Sequence, residues 1–341
     1  MLVSKHGLTP PAQEYQCSVI LLAALTLNPQ GATMAKANSS NGRTQLPRPR
    51  GSAAWCDYFR INGRRLLPVD WQRAGEFTKA ERAAVTRSIQ IFQLGESGEG
   101  RHFLACAEEY VRRADDPDYL IALPLFLAEE HRHARDLGRV LDAMGEQRLK
   151  KNWTDRAFRW LRHRGGLELT ISVLLTAEVV AQVYYQALRD ATGNPALRML
   201  CRQILSDEVR HVQFQAERLA LLRTRQSRWR IGCAQFAERC LFAVTCRLVW
   251  FTHRSVFRAA AMSWPIFRHR MNKRFRTAQR IGNPASYVNG LVNGAGVMDE
   301  ANAVGPDSWS YQLNHHELGE SAIRRVPQAG PRLREQERWL D

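Results

Sequence analysis

Apolar side chains return every three or four positions over four long stretches of this chain, and clusters of Gly, Pro, Asn and Asp separate the stretches. That period is the mark of amphipathic helices. The first stretch opens at Thr78-Lys79-Ala80-Glu81, which has the form of a capping box, and continues through Arg113 until Asp115-Asp116-Pro117-Asp118 stops it. A second helix is predicted over 119–144, with Gly145 as its C-terminal stop. After a Trp- and Arg-rich connection over 146–166, a third covers 167–192 and ends at Gly193-Asn194-Pro195, and a fourth covers 195–223. The predicted fold is all-α: two helical hairpins joined by a long crossover between helices two and three.

The flanks have a different texture. Residues 1–75 mix Pro, Gly, Ser and Asn with little periodicity and read as a flexible leader to a bundle over 76–225. Residues 226–280 read as a basic helical extension in which 231–262 form a fifth, amphipathic helix. In 281–341 Gly, Asn, Ser and Pro return, as in a disordered tail. No internal repeat at solenoid spacing is present. The longest unbroken apolar candidate, Ser18 to Leu27, is shorter than a bilayer span, and its weakly basic start makes a poor export signal. Met34 is an alternative start. The expected location is cytoplasmic, with peripheral membrane contact left open.

Two pieces of this pattern carry chemistry. The second helix contains Glu129-Glu130-His131-Arg132-His133 and the fourth contains Asp207-Glu208-Val209-Arg210-His211, so each holds Glu-x-x-His, at Glu130/His133 and Glu208/His211. Positions i and i+3 share a helix face, which lets a carboxylate and an imidazole reach one metal ion. In the third helix Glu178 is a lone acid in an apolar stretch, where an unpaired buried carboxylate is costly. Glu178 and Glu208 are centred on residue 193, inside the predicted turn, so antiparallel helices leaving that turn carry both acids at one height. On the first helix Glu96 and Glu99 are three apart. Reflection of Glu130 through the turn near Asp116 favours Glu99. Tyr185 shares the face of Glu178, where it could hydrogen-bond a carboxylate, but reads first as a core tyrosine; His131 points off the metal face and reads as exposed.

The region 85–220 resembles the ferritin-like di-iron superfamily, which includes rubrerythrins, ribonucleotide reductase small subunits and N-oxygenases. Leu94-Gly95-Glu96-Ser97 is similar to the rubrerythrin segment whose Glu binds metal, which selects Glu96 over Glu99. The resemblance implies a ferritin-like bundle with Glu96, Glu130, His133, Glu178, Glu208 and His211 as ligands of two Fe ions, Mn being the alternative. Ser206-Asp207-Glu208 is similar to the reductase small subunits, where the Asp holds the ring N–H of the opposite histidine. This implies that Asp207 serves His133 and, by pseudo-symmetry, that Glu129 serves His211, with Glu99 supporting or replacing Glu96. The implied reaction partners are dioxygen, a small organic substrate and a separate electron-donor reductase; a homodimer is left open. The chain lacks the paired C-x-x-C of a rubredoxin-like domain, and we locate no radical tyrosine. The expected function is therefore an oxidase or oxygenase, with ferroxidase or iron handling as the alternative.

Composition sharpens the picture at one place. With 45% hydrophobic and 24% charged residues the chain can bury a sizeable core, and seven scattered cysteines without a C-x-x-C pair disfavour a disulfide scaffold or zinc ribbon. Lys and Arg number 49 against 33 Asp and Glu, a net +16. Most of the excess lies between Arg223 and Arg280, where fourteen basic residues meet one acid, Glu238, and aromatics are interleaved. On a helical wheel Arg239, Arg247, Arg254 and Arg258 fall within one quarter, opposite Leu241, Val244, Leu248, Val249, Val256 and Met262. Such a helix fits an anionic membrane surface, packs as a fifth bundle helix, or binds nucleic acid through its charge. A metal-free helical protein that docks through this helix is the rival reading of the whole chain.

Overall fold

The computed structural model describes residues 46–98 and 100–294, all within one compact unit. In chain order the helices are α1 (Ser52–Asn62), α2 (Lys79–Glu96), α3 (Arg101–Ala114), α4 (Pro117–Ala143), α5 (Trp153–Arg162), α6 (Leu167–Asp190), α7 (Pro195–Arg223), α8 (Arg228–Thr252), α9 (Arg254–Ala259), α10 (Trp264–Ile281) and α11 (Pro284–Gly294). A 3-10 turn at Trp71–Arg73 separates α1 from α2, and no strand occurs among the described residues.

Local chemistry sets the ends of these helices. Thr78 accepts from the Glu81 N–H while Glu81 accepts from the Thr78 N–H, a complete capping box. The Glu81 carboxylate also accepts from Thr192 Oγ1 and the Gly193 N–H, which ties the start of α2 to the turn between α6 and α7. These hydrogen bonds, the one from Gly193 foremost, hold its carboxyl down to about 2. At that turn Asn194 caps α7 through the Leu197 N–H, Pro195 occupies the first turn, and the Asn194 amide donates to the carbonyls of Arg73 and Glu76.

The first long helix is broken where a continuous one is expected. Its axis stops after Glu96 and restarts at Arg101, and Gly100 adopts φ +66°. The positive φ favours glycine here, and a Cβ, 2.5 Å from Leu127 Cδ1, would have to push that side chain aside. The apolar period survives the break, because Phe103 and Ala107 of α3 rejoin the core. Together α2 and α3 make the first element of a four-helix bundle, with α4, α6 and α7 as the others. Helix α6 is apolar and long enough to cross a membrane, yet 78% of that window is buried. Its neighbours α7, α8, α10 and α5 cover it, which is why it is apolar all round.

Four further expectations are corrected. Residues expected to form a flexible leader include α1, whose Trp55 and Phe59 are buried against Phe126 and Phe214. The crossover contains α5. The expected fifth helix over 231–262 is two helices, α8 and α9, parted at His253, which is buried with Nδ1 2.7 Å from Ser88 Oγ. Helix α10 then lays Phe267, Met271 and Phe275 into the core, and α11, in the region expected as tail, buries Tyr287. The remaining expectations for 1–45 and 295–341 lie outside the described residues.

Gly100→Ala is expected to cost about 2 kcal/mol or more, from the left-handed φ and the Leu127 contact. Urea unfolding measures it; an unchanged midpoint would contradict this turn.

Candidate metal centre

Four helices bring their acids to one height in the middle of the bundle. Helix α4 supplies Glu129, Glu130 and His133, α7 supplies Asp207, Glu208 and His211, α6 supplies Glu178, and Glu96 is the last residue of α2. Glu99 lies outside the described residues. Glu130, His133, Glu208 and His211 each offer a ligand atom, all within 4.8 Å of one another. His133 Nδ1 is 3.5 Å from Glu208 Oε1 and 3.9 Å from Glu130 Oε1. His211 Nδ1 is 2.8 Å from Glu130 Oε1, 3.7 Å from Glu208 Oε2 and 3.9 Å from Glu178 Oε2. Glu208 thus turns one oxygen toward each histidine. The two rings are 5.6 Å apart between centroids.

The outer ring nitrogens are held by the two acids that precede the paired glutamates. His133 Nε2 is 3.1 Å from Asp207 Oδ2, and His211 Nε2 is 2.9 Å from Glu129 Oε2. A carboxylate only accepts, so each Nε2 carries a hydrogen, and once the ring is neutral its Nδ1 turns a lone pair inward. Asp207 also accepts from Arg132 at 2.6 Å and from Gln203 at 3.0 Å. Glu96 accepts a 2.7 Å hydrogen bond from the Tyr185 hydroxyl.

The acids disagree electrostatically, as a dense buried cluster must. Burial and then the Glu130 charge push Glu96 and Glu178 well above the usual carboxylate range. Burial likewise raises Glu208 to about 7. Burial opposes ionisation of Glu130 too, but contact with His211 and the charge of His133 bring it to about 2. For His211, burial works against the charged ring, and Glu129, Glu130 and Glu208 override it and raise its pKa well above the ordinary value. Asp207 is lowered: burial resists, while His133 and Arg132 prevail.

Several polar atoms at the centre nonetheless have no hydrogen-bond partner: Glu130 Oε1, His133 Nδ1, both carboxylate oxygens of Glu208, and His211 Nδ1. Even the 2.8 Å contact between His211 Nδ1 and Glu130 Oε1 is not aligned as a hydrogen bond. Buried polar atoms are ordinarily paired, and orphans that converge from opposite helices are the arrangement of ligand atoms around a shared cation. The residues present therefore fit a metal centre of carboxylate and imidazole type.

Other features of the site escape a reading of spacing alone. Asn62, at the end of α1, donates at 2.6 Å to Glu129 and at 2.9 Å to Asp207, so one amide braces both acids behind the histidines. The signal was the spacing Trp55, Phe59, Asn62, which is helical. Tyr185, read as a core tyrosine, is fully buried and also bonded to Glu96. His131, read as exposed, is half-buried, and its Nε2 is 2.8 Å from the Gly98 carbonyl. Gln182 of α6 donates to the Glu208 carbonyl at 3.1 Å and accepts from Arg274 of α10 at 2.8 Å.

This all-α bundle, with one long crossover and Glu-x-x-His on two of its four core helices, has a ferritin-like bundle fold. Among solved structures, a mutant R2-like ligand-binding oxidase with an aerobically reconstituted Mn/Fe cofactor overlays 93% of its length on 68% of this chain, with a TM-score of 0.53 and 15% sequence identity. At that identity the likeness is one of fold. No protein-family model matches the chain, and no curated protein matches it.

The raised carboxyls make a prediction with a definite sign. Glu96, Glu178 and Glu208 contribute stability that is complete below about pH 4, their unfolded range, and lost as pH rises through their folded values, about 7 for Glu208. His211 acts in the same direction above about pH 6.5. Metal-free protein should therefore lose Tm between pH 5 and 8, and added Fe(II) or Mn(II) should suppress the loss by replacing the protons. Thermal melts with and without chelator measure this. A metal-free Tm that is flat or rising over that interval would sink the assignment.

Proposed function

We propose that this chain is a non-haem di-metal oxidase or oxygenase in which Glu96, Glu130, His133, Glu178, Glu208 and His211 hold two iron ions, or one iron and one manganese. What carries the reading is the convergence of buried, unpartnered ligand atoms from α4 and α7 on one small volume. Four glutamates neutralise two divalent ions, which would offset the burial and the Glu130 charge that otherwise keep Glu96 and Glu178 protonated. Carboxylate and imidazole donors suit iron and manganese. Held there, two such ions would supply redox chemistry toward dioxygen and a small organic substrate.

The protein's own part is positioning and exclusion of water. Asp207 and Glu129 fix the tautomer and tilt of both imidazoles, and Asn62 fixes the two acids against each other. The Tyr185 hydroxyl engages one oxygen of Glu96 and so helps to fix that carboxylate. Phe126, whose ring is 4.8 Å from that of His211, and Phe59 at 6.2 Å form an apolar wall on that side. Electrons would come from a separate reductase, since the chain holds no C-x-x-C pair for a rubredoxin-like iron site.

Metal analysis tests the reading directly. Protein prepared under reducing, iron-replete conditions should hold about two metal ions per chain and consume dioxygen when a reductant is added. Glu178→Ala and Glu208→Ala should each lower metal content, and fewer than about one ion per chain in the unaltered protein would refute the proposal. Asp207→Asn should weaken metal affinity about 10- to 100-fold while the fold is retained. Unchanged affinity would remove Asp207 from its supporting role.

A further inference from the structure

Helix α8 packs inward through Phe242, Thr245, Cys246 and Val249, of which only Val249 lies on the apolar side expected from the wheel. A second apolar line runs along its outer side. Trp229, Phe236 and Phe251 are 76%, 58% and 67% exposed. At about 100° per residue they lie within about 60° of one another, a ridge about 33 Å long. Arg247 falls inside this ridge, with Arg230 and Arg239 on its two flanks, all exposed. A single exposed aromatic needs no explanation; aligned aromatics rimmed by guanidinium groups mark an interaction surface.

Beside the ridge is a groove between α8 and α10, lined by Arg239, His269, Lys273, Arg276 and Arg280, with Asn and Ser side chains and no acid among its lining residues. Arg239 belongs to both features. Glu238, the one acid between residues 224 and 294, is turned inward and bonded to Arg223 and to Ser172. The outward charge of this region is therefore all positive.

We propose that this face docks on an anionic lipid bilayer. Helix α8 lies in the plane of the surface with Trp229, Phe236 and Phe251 at the acyl boundary, its arginines on headgroup phosphates, and the adjoining groove holding further phosphates. A single-stranded nucleic acid fits less well. Its backbone would follow the basic groove, which has no aromatic lining on which bases could stack, whereas the aromatics stand on the convex ridge. A second copy of the chain fits less well again, since an isologous pairing of this face would set arginine against arginine.

Co-sedimentation of the full-length protein with phosphatidylcholine vesicles, with and without phosphatidylglycerol, tests the proposal. Binding should require phosphatidylglycerol and weaken with salt. Arg239→Gln with Arg247→Gln should lower the affinity about fivefold per arginine removed. The triple replacement of Trp229, Phe236 and Phe251 by Ser should abolish the binding that survives at high salt, with circular dichroism and melting temperature retained because all these side chains are exposed. Should the triple variant misfold, brominated lipid supplies a readout in the unaltered protein: it should quench indole fluorescence, less so in Trp229→Phe. No sedimentation with anionic vesicles at low salt would overturn the proposal. So would undiminished binding by a folded triple variant, single-stranded DNA that binds more tightly than the vesicles, or a dimer broken by the triple replacement without any vesicle binding.

Discussion

Four carboxylates in the middle of a helical bundle repel one another, and each loses hydration that the protein interior does not return. Everything else about this site answers that constraint. Glu130 stays ionised because His211 and His133 face it, whereas Glu96, Glu178 and Glu208 are driven toward the protonated form. A protein that had only to be stable would place leucine at these positions. Cations at the centre, as proposed, would resolve the conflict, because they would take the place of protons and give the orphaned oxygens and nitrogens their partners.

The histidines are useful to such ions only if their lone pairs aim inward, and that depends on groups behind them. Asp207 and Glu129 take the outer ring hydrogens, Arg132 and Gln203 anchor Asp207, and Asn62 joins both acids. On the opposite side Gln182 holds the α7 backbone at Glu208 and is itself held by Arg274. Asn62 and Arg274 come from segments that flank the bundle in sequence. The four-helix core supplies the converging acids and histidines, and the flanking helices α1 and α10 make their geometry rigid.

How much of this could be read from the chain follows from the range of each interaction. The Thr78 capping box and the Gly193-Asn194-Pro195 turn are local, and the structure has both where the residues put them. The Glu-x-x-His pairs need only helical spacing to be recognised, and the structure gathers the two into one cluster. The break at Gly100 is harder to see because the apolar period resumes in phase with Phe103 and Ala107; only Gly95, Gly98 and Gly100 mark it. The parting of α8 from α9 at His253 depends on Ser88, 165 residues away, which no local pattern contains. Asn62 is harder still, since a polar residue at the end of a short helix acquires its role only when α1 docks on α4 and α7.

The basic extension shows why wheel arithmetic alone could not assign its faces. It places apolar residues opposite the arginines and predicts one inner and one outer side. In the folded chain, however, α8 has to fill a groove whose depth is set by α6 and α10, and it does so with Phe242, Thr245, Cys246 and Val249. Trp229, Phe236 and Phe251 remain outside because their line is already backed by that packed side, and burial of one face of a helix exposes the other. Meanwhile the only acid of the segment is spent inside, on Arg223 and Ser172, so nothing neutralises the outer arginines from within the extension. The same helices that close the bundle around its acidic centre thus carry the excess positive charge to the exterior. A core that must hold negative charge and a surface that presents positive charge are two sides of one packing arrangement.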